Sequence, residues 1–273
     1  MGRKGGWVLM KKCFAVVGED ARQKAAGEYL AAEGFRVVGA ERVYEADYIL
    51  LPLPLDADRV GLARLLRAAR PGAVALGGRV SPQVMATGQS AGVPILDYFR
   101  RPELAERNAV PTAEGCIGLL LEKRQRVLQG SSILVAGYGR VGRALAQRLG
   151  ALGALVTVAV RSPGACAQAE ADGHKSLALR ALCQKVSAFD CAVNTIPAQV
   201  FTKAVLEAMP EPSLIIDLAS LPGGVDDAAA GRCGVEVIHA LSLPARCAPV
   251  TAGELVGRTV LTMLREREEG EEC

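Results

Sequence analysis

Histidine and aromatic side chains are scarce in this chain of 273 residues: two histidines, one tryptophan and an aromatic content of 4%. His174 and His239 stand far apart, and the eight cysteines (Cys13, Cys116, Cys166, Cys183, Cys191, Cys233, Cys247 and Cys273) contain no C-x-x-C pair. Metal sites and disulfide frameworks both need tighter grouping, so no metal is expected and the thiols read as reduced. Long apolar runs are lacking too. None approaches the roughly 20 residues of a membrane helix, and Trp7 to Met10, within a basic, glycine-rich start, is too short for a signal-peptide core. A soluble, cytoplasmic protein is expected. Charge of one sign is also missing: 32 Lys and Arg face 29 Asp and Glu, for a net charge of +3. Without a basic stripe interleaved with aromatics, nucleic acid is excluded as a partner.

Hydrophobic residues are plentiful, at 50%. The length suits two domains of ordinary size, and the composition can furnish a core for each.

The most informative stretch is Ser131 to Ser162, SSILVAGYGRVGRALAQRLGALGALVTVAVRS. An apolar run (Ile133 to Ala136) leads into Gly137-Tyr138-Gly139-Arg140-Val141-Gly142, then an amphipathic segment and a second apolar run (Val156 to Val160). Strand, glycine turn, helix and strand follow in the order of a dinucleotide-binding βαβ unit. Gly137 permits the turn out of the strand, Gly139 lets the backbone approach a pyrophosphate, and Gly142 lets the helix pack on the sheet. The phosphates would rest on unpaired N–H groups at the helix N-terminus. An NAD site carries Asp or Glu about 20 residues further on, holding the ribose 2′-hydroxyl. Here Arg161 and Ser162 follow the second strand, and they suit a 2′-phosphate. NADP is therefore the expected cofactor.

In the first half, short apolar runs (Phe14 to Val17, Phe35 to Val38, Tyr48 to Leu53, Val74 to Leu76, Val93 to Leu96) alternate with helical segments near 21–32, 59–69 and 82–91. That pattern argues for a parallel, flavodoxin-like sheet covered on both faces. Ligands bind at the carboxyl ends of such strands. This draws attention to Asp20, Arg22, Pro52, Pro54, Arg100 and Arg101, an arginine there being able to hold a substrate carboxylate. A helix joining the domains is expected over 111–130. Thr112 would be its N-cap and Glu114 would lie in its first turn; each serves either as a site residue or as part of the cap.

The second half reads as a six-stranded doubly wound Rossmann sheet, expected order 3-2-1-4-5-6. After the glycine unit come a helix over 164–171, an edge strand near His174, a helix over 177–186 and a strand over 189–193. Asn194-Thr195-Ile196-Pro197 follows, then a helix over 199–208, a strand over 214–216 ending at Asp217, and a last strand over 235–238. The loop Asn194 to Pro197 would pass beside the nicotinamide ribose. Asp217 either takes part in the site, orienting substrate or taking a proton, or caps its own turn. The final helix, 249–267 with an apolar stripe of Leu255, Val256, Val260 and Leu264, is expected to cross back onto the first domain. The expected division is thus 1–110 as the substrate domain, 111–130 as the linker helix, 131–248 as the Rossmann domain and 249–273 as the returning segment.

GEDARQ (18–23), NAVPTAEG (108–115), GYGRVG (137–142) with VRS (160–162), NTIP (194–197), DLASLPGG (217–224) and PVTAGE (249–254) occur in that order. With them the chain resembles the A-subunit family of dipicolinate synthases from spore-forming bacteria, departing from it in an extended amino terminus and a short middle of the first domain. The resemblance implies NADP-dependent oxidation of a dihydrodipicolinate-type intermediate to dipicolinate in the mother cell. It also implies a partner, the flavoprotein-like B subunit of dipicolinate synthase. Two substrate carboxylates would need partners, for which Arg22, Arg101 and Thr112 are candidates with Asp20 beside them. A ring proton would leave to Glu114, Asp217 or water. A homodimer or larger assembly is expected. Two other readings stay open: a different two-domain NADP dehydrogenase resembling shikimate or methylenetetrahydrofolate dehydrogenase, and a non-catalytic NADP-binding scaffold. The first would need a lysine at the strand ends, where the first half offers none.

Overall fold

The computed structural model describes residues 12–271, so the basic start of the chain and Cys273 lie outside the described residues. The chain divides into two compact units. One comprises the residues up to Asn108 together with those from Ala248 onward, and the other runs from Ala109 to Cys247.

The first unit is built from β1 (Cys13–Val16), α1 (Ala21–Ala32), β2 (Arg36–Gly39), β3 (Tyr48–Leu50), α2 (Ala57–Val60), α3 (Leu62–Arg67), β4 (Val74–Gly77), α4 (Pro82–Ala91) and β5 (Ile95–Asp97). All its strand pairs are parallel, in the order β2-β1-β3-β4-β5. This is the flavodoxin-like order, with a topological switch between β1 and β3. Ala15, Ile49, Leu50, Ala75 and Leu76 are wholly buried because helices cover both faces. The helix expected over 59–69 is two pieces, since Gly61 adopts a left-handed φ of 61° between them.

The helix expected from 111 begins earlier. α5 spans Pro102–Arg124 as one element and carries the chain from the first unit into the second. Pro102, with Glu103 behind it, is the true start signal, proline being suited to the first helical position. Pro111 lies inside, where it removes one backbone bond without ending the helix. Thr112 is therefore mid-helix and caps nothing. The carboxyl end falls at Arg124, next to Gln125 in a left-handed conformation, and not at 130.

The second unit continues with β6 (Ser132–Ala136), α6 (Arg140–Ala151), β7 (Leu155–Val160), α7 (Pro163–Ala171), β8 (Lys175–Ala178), α8 (Leu182–Lys185), β9 (Cys191–Asn194), α9 (Lys203–Glu207), β10 (Ser213–Asp217), α10 (Asp227–Arg232), β11 (Val235–His239) and α11 (Leu243–Cys247). The parallel sheet runs β11-β10-β9-β6-β7-β8. Counted from β6 this is the expected 3-2-1-4-5-6. Two helices differ from expectation. Leu177 and Ala178 complete the edge strand β8, paired to β7, because an edge strand covered on one side gives a weak apolar pattern. The helix expected from Gln199 starts at Lys203, since Val200 and Phe201 donate to the carbonyl of Gly224 and Phe201 bridges Val225.

The last helix, α12 (Pro249–Glu271), does return to the first unit, as its apolar stripe implies. Val256, Val260, Leu261 and Leu264 pack with Phe14, Leu30 and Tyr48, each buried side chain contributing roughly 1.5–3 kcal/mol. Small residues set the approach to α1. A Cβ on Gly253 would stand 2.7 Å from Ala25 Cβ and 2.8 Å from Ala26 N, and one on Gly257 would stand 2.7 Å from Tyr29 Cδ1. Ion pairs add orientation further along: Lys12 with Glu268 at 3.1 Å, and Arg101 with Glu266 at 2.7 Å.

Two glycine substitutions separate helix propensity from packing. Gly118→Ala, in open space on α5, should stabilise the protein by up to about 1 kcal/mol. Gly253→Ala has the same propensity gain but drives a methyl group into the α1 backbone, so a net loss of about 1–3 kcal/mol is expected. Urea unfolding midpoints check both signs.

Candidate functional site

β6 is buried from Ile133 to Ala136 and leaves the sheet at Gly137, whose φ is 99°. The Gly137 N–H donates to the Ala159 carbonyl at 2.8 Å. A Cβ at Gly137 would strike the Thr195 hydroxyl and stand 2.9 Å from Ile196 Cγ1, while one at Gly142 would strike the Gly137 carbonyl oxygen. Gly139 differs from both, with nothing within 4 Å of its Cβ position. It is the N-cap of α6 and supplies no side-chain cap, so the first N–H groups of that helix have no side-chain acceptor. An open glycine backbone ahead of an uncapped helix fits a dinucleotide pyrophosphate. Arg140 and Val141 begin that first turn.

Tyr138 ties the turn to the loop before β8. Its hydroxyl donates to Asp172 at 2.8 Å and its ring meets His174 edge-on at 6.1 Å. Burial, reinforced by the Asp172 carboxylate, pushes the phenol up to about 12, so it remains a donor at neutral pH. Arg161 follows β7 and is exposed, with no acidic residue at the strand end. Ser162 has a structural duty, its Oγ accepting from Ala165 N at 3.2 Å to cap α7.

Beside the turn lies a buried polar network. Asn194 and Asp217 are both 0% exposed. Asn194 Nδ2 donates to Asp217 Oδ1 at 2.8 Å and to the Ile196 carbonyl at 3.0 Å, and its Oδ1 accepts from Ile196 N at 3.1 Å. Asp217 Oδ1 also takes Ala219 N at 3.0 Å, and Oδ2 takes Gly224 N at 2.8 Å. Thr195 donates to the Ala136 carbonyl at 2.8 Å. His239 stands 3.6 Å from Asp217 Oδ2 and 2.8 Å from Asp227. The loop from Asn194 through Pro197 is thus fixed against the glycine turn. Both oxygens of Asp217 are committed to loop donors, which makes it an organiser and not a base open to a substrate.

The candidate substrate residues are treated unequally. Asp20 caps α1, its Oδ1 accepting from Arg22 N and Gln23 N, each at 3.0 Å. Arg101 is held by Glu103 at 2.6 Å and bidentately by Glu266 at 2.7 Å, so its guanidinium serves the α12 contact instead of a ligand. Glu114, exposed, pairs with Arg148 on α6 at 3.4 Å. Thr112 is half-buried within α5. Arg22 alone presents a buried nitrogen, Nε, with no partner among the described residues. Sequence reasoning passes over Tyr98, in the turn after β5, while singling out its neighbours Arg100 and Arg101. The signal is present in its position directly after the last strand of that sheet. A cavity of about 570 Å³ lined by Lys123, Arg124, Phe189, Asp190 and Ser213 lies at the amino ends of β9 and β10, away from the glycine turn.

Residues 115–237 match the family described as "S-adenosyl-L-homocysteine hydrolase, NAD binding domain". Together with the two parallel sheets and the open glycine turn, this defines an α/β protein of the nicotinamide-dinucleotide-binding class. Within that class the chain is similar to the A subunit of dipicolinate synthase. It is 35% identical over 172 residues to that protein from Bacillus subtilis (strain 168), an alignment covering 63% of this chain and 58% of the relative. The chain thus matches little more than half of that relative's length. The crystal structure of the dipicolinate synthase A subunit from Bacillus halodurans superposes with a TM-score of 0.84 at 26% identity, over 94% of this chain and 99% of that one. Its counterpart from Bacillus subtilis gives a TM-score of 0.79 at 26% identity, over 94% and 97%. The resemblance carried by GEDARQ through PVTAGE is thus present in both sequence and structure. Among the described residues no helix is long and apolar enough to cross a membrane.

If Asp217 organises the loop, Asp217→Asn leaves an amide facing backbone donors and should cost about 2–3 kcal/mol of stability without any ligand. Urea unfolding of the cofactor-free protein measures this, and undiminished stability would contradict the assignment.

Proposed function

We propose that this protein oxidises a dihydrodipicolinate-type dicarboxylate to dipicolinate, with NADP as hydride acceptor. The observation that carries this reading is the match to the Bacillus halodurans structure over nearly the full length of both chains. The glycine turn and Arg161 support the cofactor half. The Gly137 to Gly142 turn and the first N–H groups of α6 would hold the pyrophosphate, Arg161 the 2′-phosphate, and the loop from Asn194 to Pro197 the ribose side of the nicotinamide.

NADP, when bound, accepts a hydride from a ring carbon of the substrate, and one proton leaves as the ring becomes aromatic. Because aromatisation drives the step, the chain mainly has to orient the ring and exclude competing reactions. The substrate carboxylates need cationic or neutral donors, for which Arg22 is proposed and Arg101 is set aside because Glu103 and Glu266 already hold it. The proton passes to Glu114 or to water. Partnership with the B subunit, assembly of more than one copy, and action in the mother cell during spore formation belong to the same proposal. They rest on the relatives' name.

Turnover by this chain alone is the direct test. Reduction of NADP on mixing with dihydrodipicolinate supports the proposal; none, even in the presence of the B subunit, would leave the scaffold reading. Cofactor choice is tested separately. Arg161→Ala should weaken NADP binding by about 1–3 kcal/mol with little effect on NAD, and calorimetric titration with both nucleotides shows whether the loss is selective.

A further inference from the structure

Three buried side-chain polar atoms have no hydrogen-bond partner among the described residues: Arg22 Nε, Tyr98 Oη and Arg107 Nη1. Buried donors are almost always satisfied, and an exception calls for a reason. Two of the three belong together. Arg22 lies in the first turn of α1, directly after β1, and Tyr98 opens the 3₁₀ turn that follows β5. Both therefore stand at the carboxyl ends of strands in one sheet, the edge where such sheets bind ligands.

Tyr98 is 0% exposed, and the loop after β4 is shaped around its ring. A Cβ on Gly78 would stand 2.9 Å from Tyr98 Cζ, the carbon that bears the hydroxyl, and 3.0 Å from Leu53 Cδ1. Asp97 fixes that loop and the Tyr98 turn at once. Its Oδ1 accepts from Arg79 N at 3.1 Å and Phe99 N at 2.9 Å, and its Oδ2 accepts from Val80 N at 3.1 Å. Arg79 is held there at a left-handed φ of 55°, with its guanidinium 4.7 Å over the Phe99 ring.

Burial pushes the Tyr98 phenol well above its ordinary pKa while the nearby Arg22 charge pulls the other way. The pair is a neutral O–H donor beside a fixed cation. The closest carboxylates are spoken for by backbone donors, Asp97 as described and Asp20 by the α1 cap. Two unmet donors and a positive charge call for an anionic acceptor from outside the chain.

We propose that Arg22 and Tyr98 form a carboxylate subsite in the first unit, the Tyr98 hydroxyl donating one hydrogen bond and the Arg22 guanidinium supplying the countercharge. The identity of the natural ligand rests on the dicarboxylate reading above; the existence of the subsite does not.

Tyr98→Phe is the discriminating variant, because the hydroxyl it removes bonds nothing in the chain. Its melting temperature and NADP affinity should equal or exceed those of the unaltered protein. Calorimetric titration of the unaltered protein, Tyr98→Phe and Arg22→Gln with pyridine-2,6-dicarboxylate, malonate and pyruvate reads the subsite. Dissociation constants for the carboxylates are expected to rise about tenfold or more in each variant. Should Arg22→Gln fail to fold, Tyr98→Phe decides alone. Unchanged carboxylate affinity in Tyr98→Phe overturns the subsite while leaving the dicarboxylate reading intact. So does failure of the unaltered protein to bind any of the three. Binding of malonate or pyruvate alone, weakened in Tyr98→Phe, keeps the subsite and sinks the dicarboxylate reading.

Discussion

A parallel sheet ends at its carboxyl edge in backbone groups that the next strand no longer pairs, and this protein closes both edges with a buried aspartate. Asp217, at the end of β10, gathers Ala219 N, Gly224 N and the Asn194 amide. Asp97, at the end of β5, gathers Arg79 N, Val80 N and Phe99 N. A carboxylate withdrawn from water survives only when such donors compensate it. The cost of leaving them unmet is what locks each loop into a single shape. The glycine turn, the Asn194 to Pro197 loop and the Gly78 loop all inherit their positions from these two side chains.

Once the loops are fixed, the space left between them is set by missing Cβ atoms. Gly142 nests against the Gly137 carbonyl and Gly137 against Thr195 and Ile196, whereas Gly139 faces open space. The same fingerprint thus contains two glycines that pack and one that waits for a ligand. That division could not be read from spacing alone. α12 uses the same device for a structural end, with Gly253 and Gly257 allowing its backbone to approach α1. The PVTAGE motif, which in isolation could pass for a site, is explained there by helix packing.

Much of this architecture is legible in the sequence. Continuous apolar runs mark the parallel strands and hence both sheet orders, because a strand buried on two faces has no polar alternation to obscure it. The returning helix is legible from its stripe of Val256, Val260 and Leu264. Where the reading fails, two signals of one kind compete. Pro102-Glu103 and Pro111 with Glu114 each look like a helix start, and only tertiary context decides that Pro111 is tolerated mid-helix. The edge strand β8 reads partly as helix because half its surroundings are solvent. Residue roles are less legible than elements. Arg22 and Arg101 are indistinguishable in sequence, both following strands of the same sheet. Their difference lies in partners remote in the chain: Glu266 meets one, and nothing meets the buried nitrogen of the other.

That contrast supplies a general ranking for charged side chains at a sheet edge. Position identifies many candidates, since every strand end presents a few polar residues. Unmet hydrogen-bonding capacity identifies few, because folding satisfies a buried donor wherever it can. Arg101, Glu114, Asp20 and Asp217 all occupy places where ligands bind in such folds, yet each has a partner that accounts for it. Arg22 and Tyr98 carry capacity the chain itself leaves unused. In a protein that otherwise compensates its buried carboxylates with backbone donors, two donors left without an acceptor mark where the fold reserves room for an acceptor it does not contain.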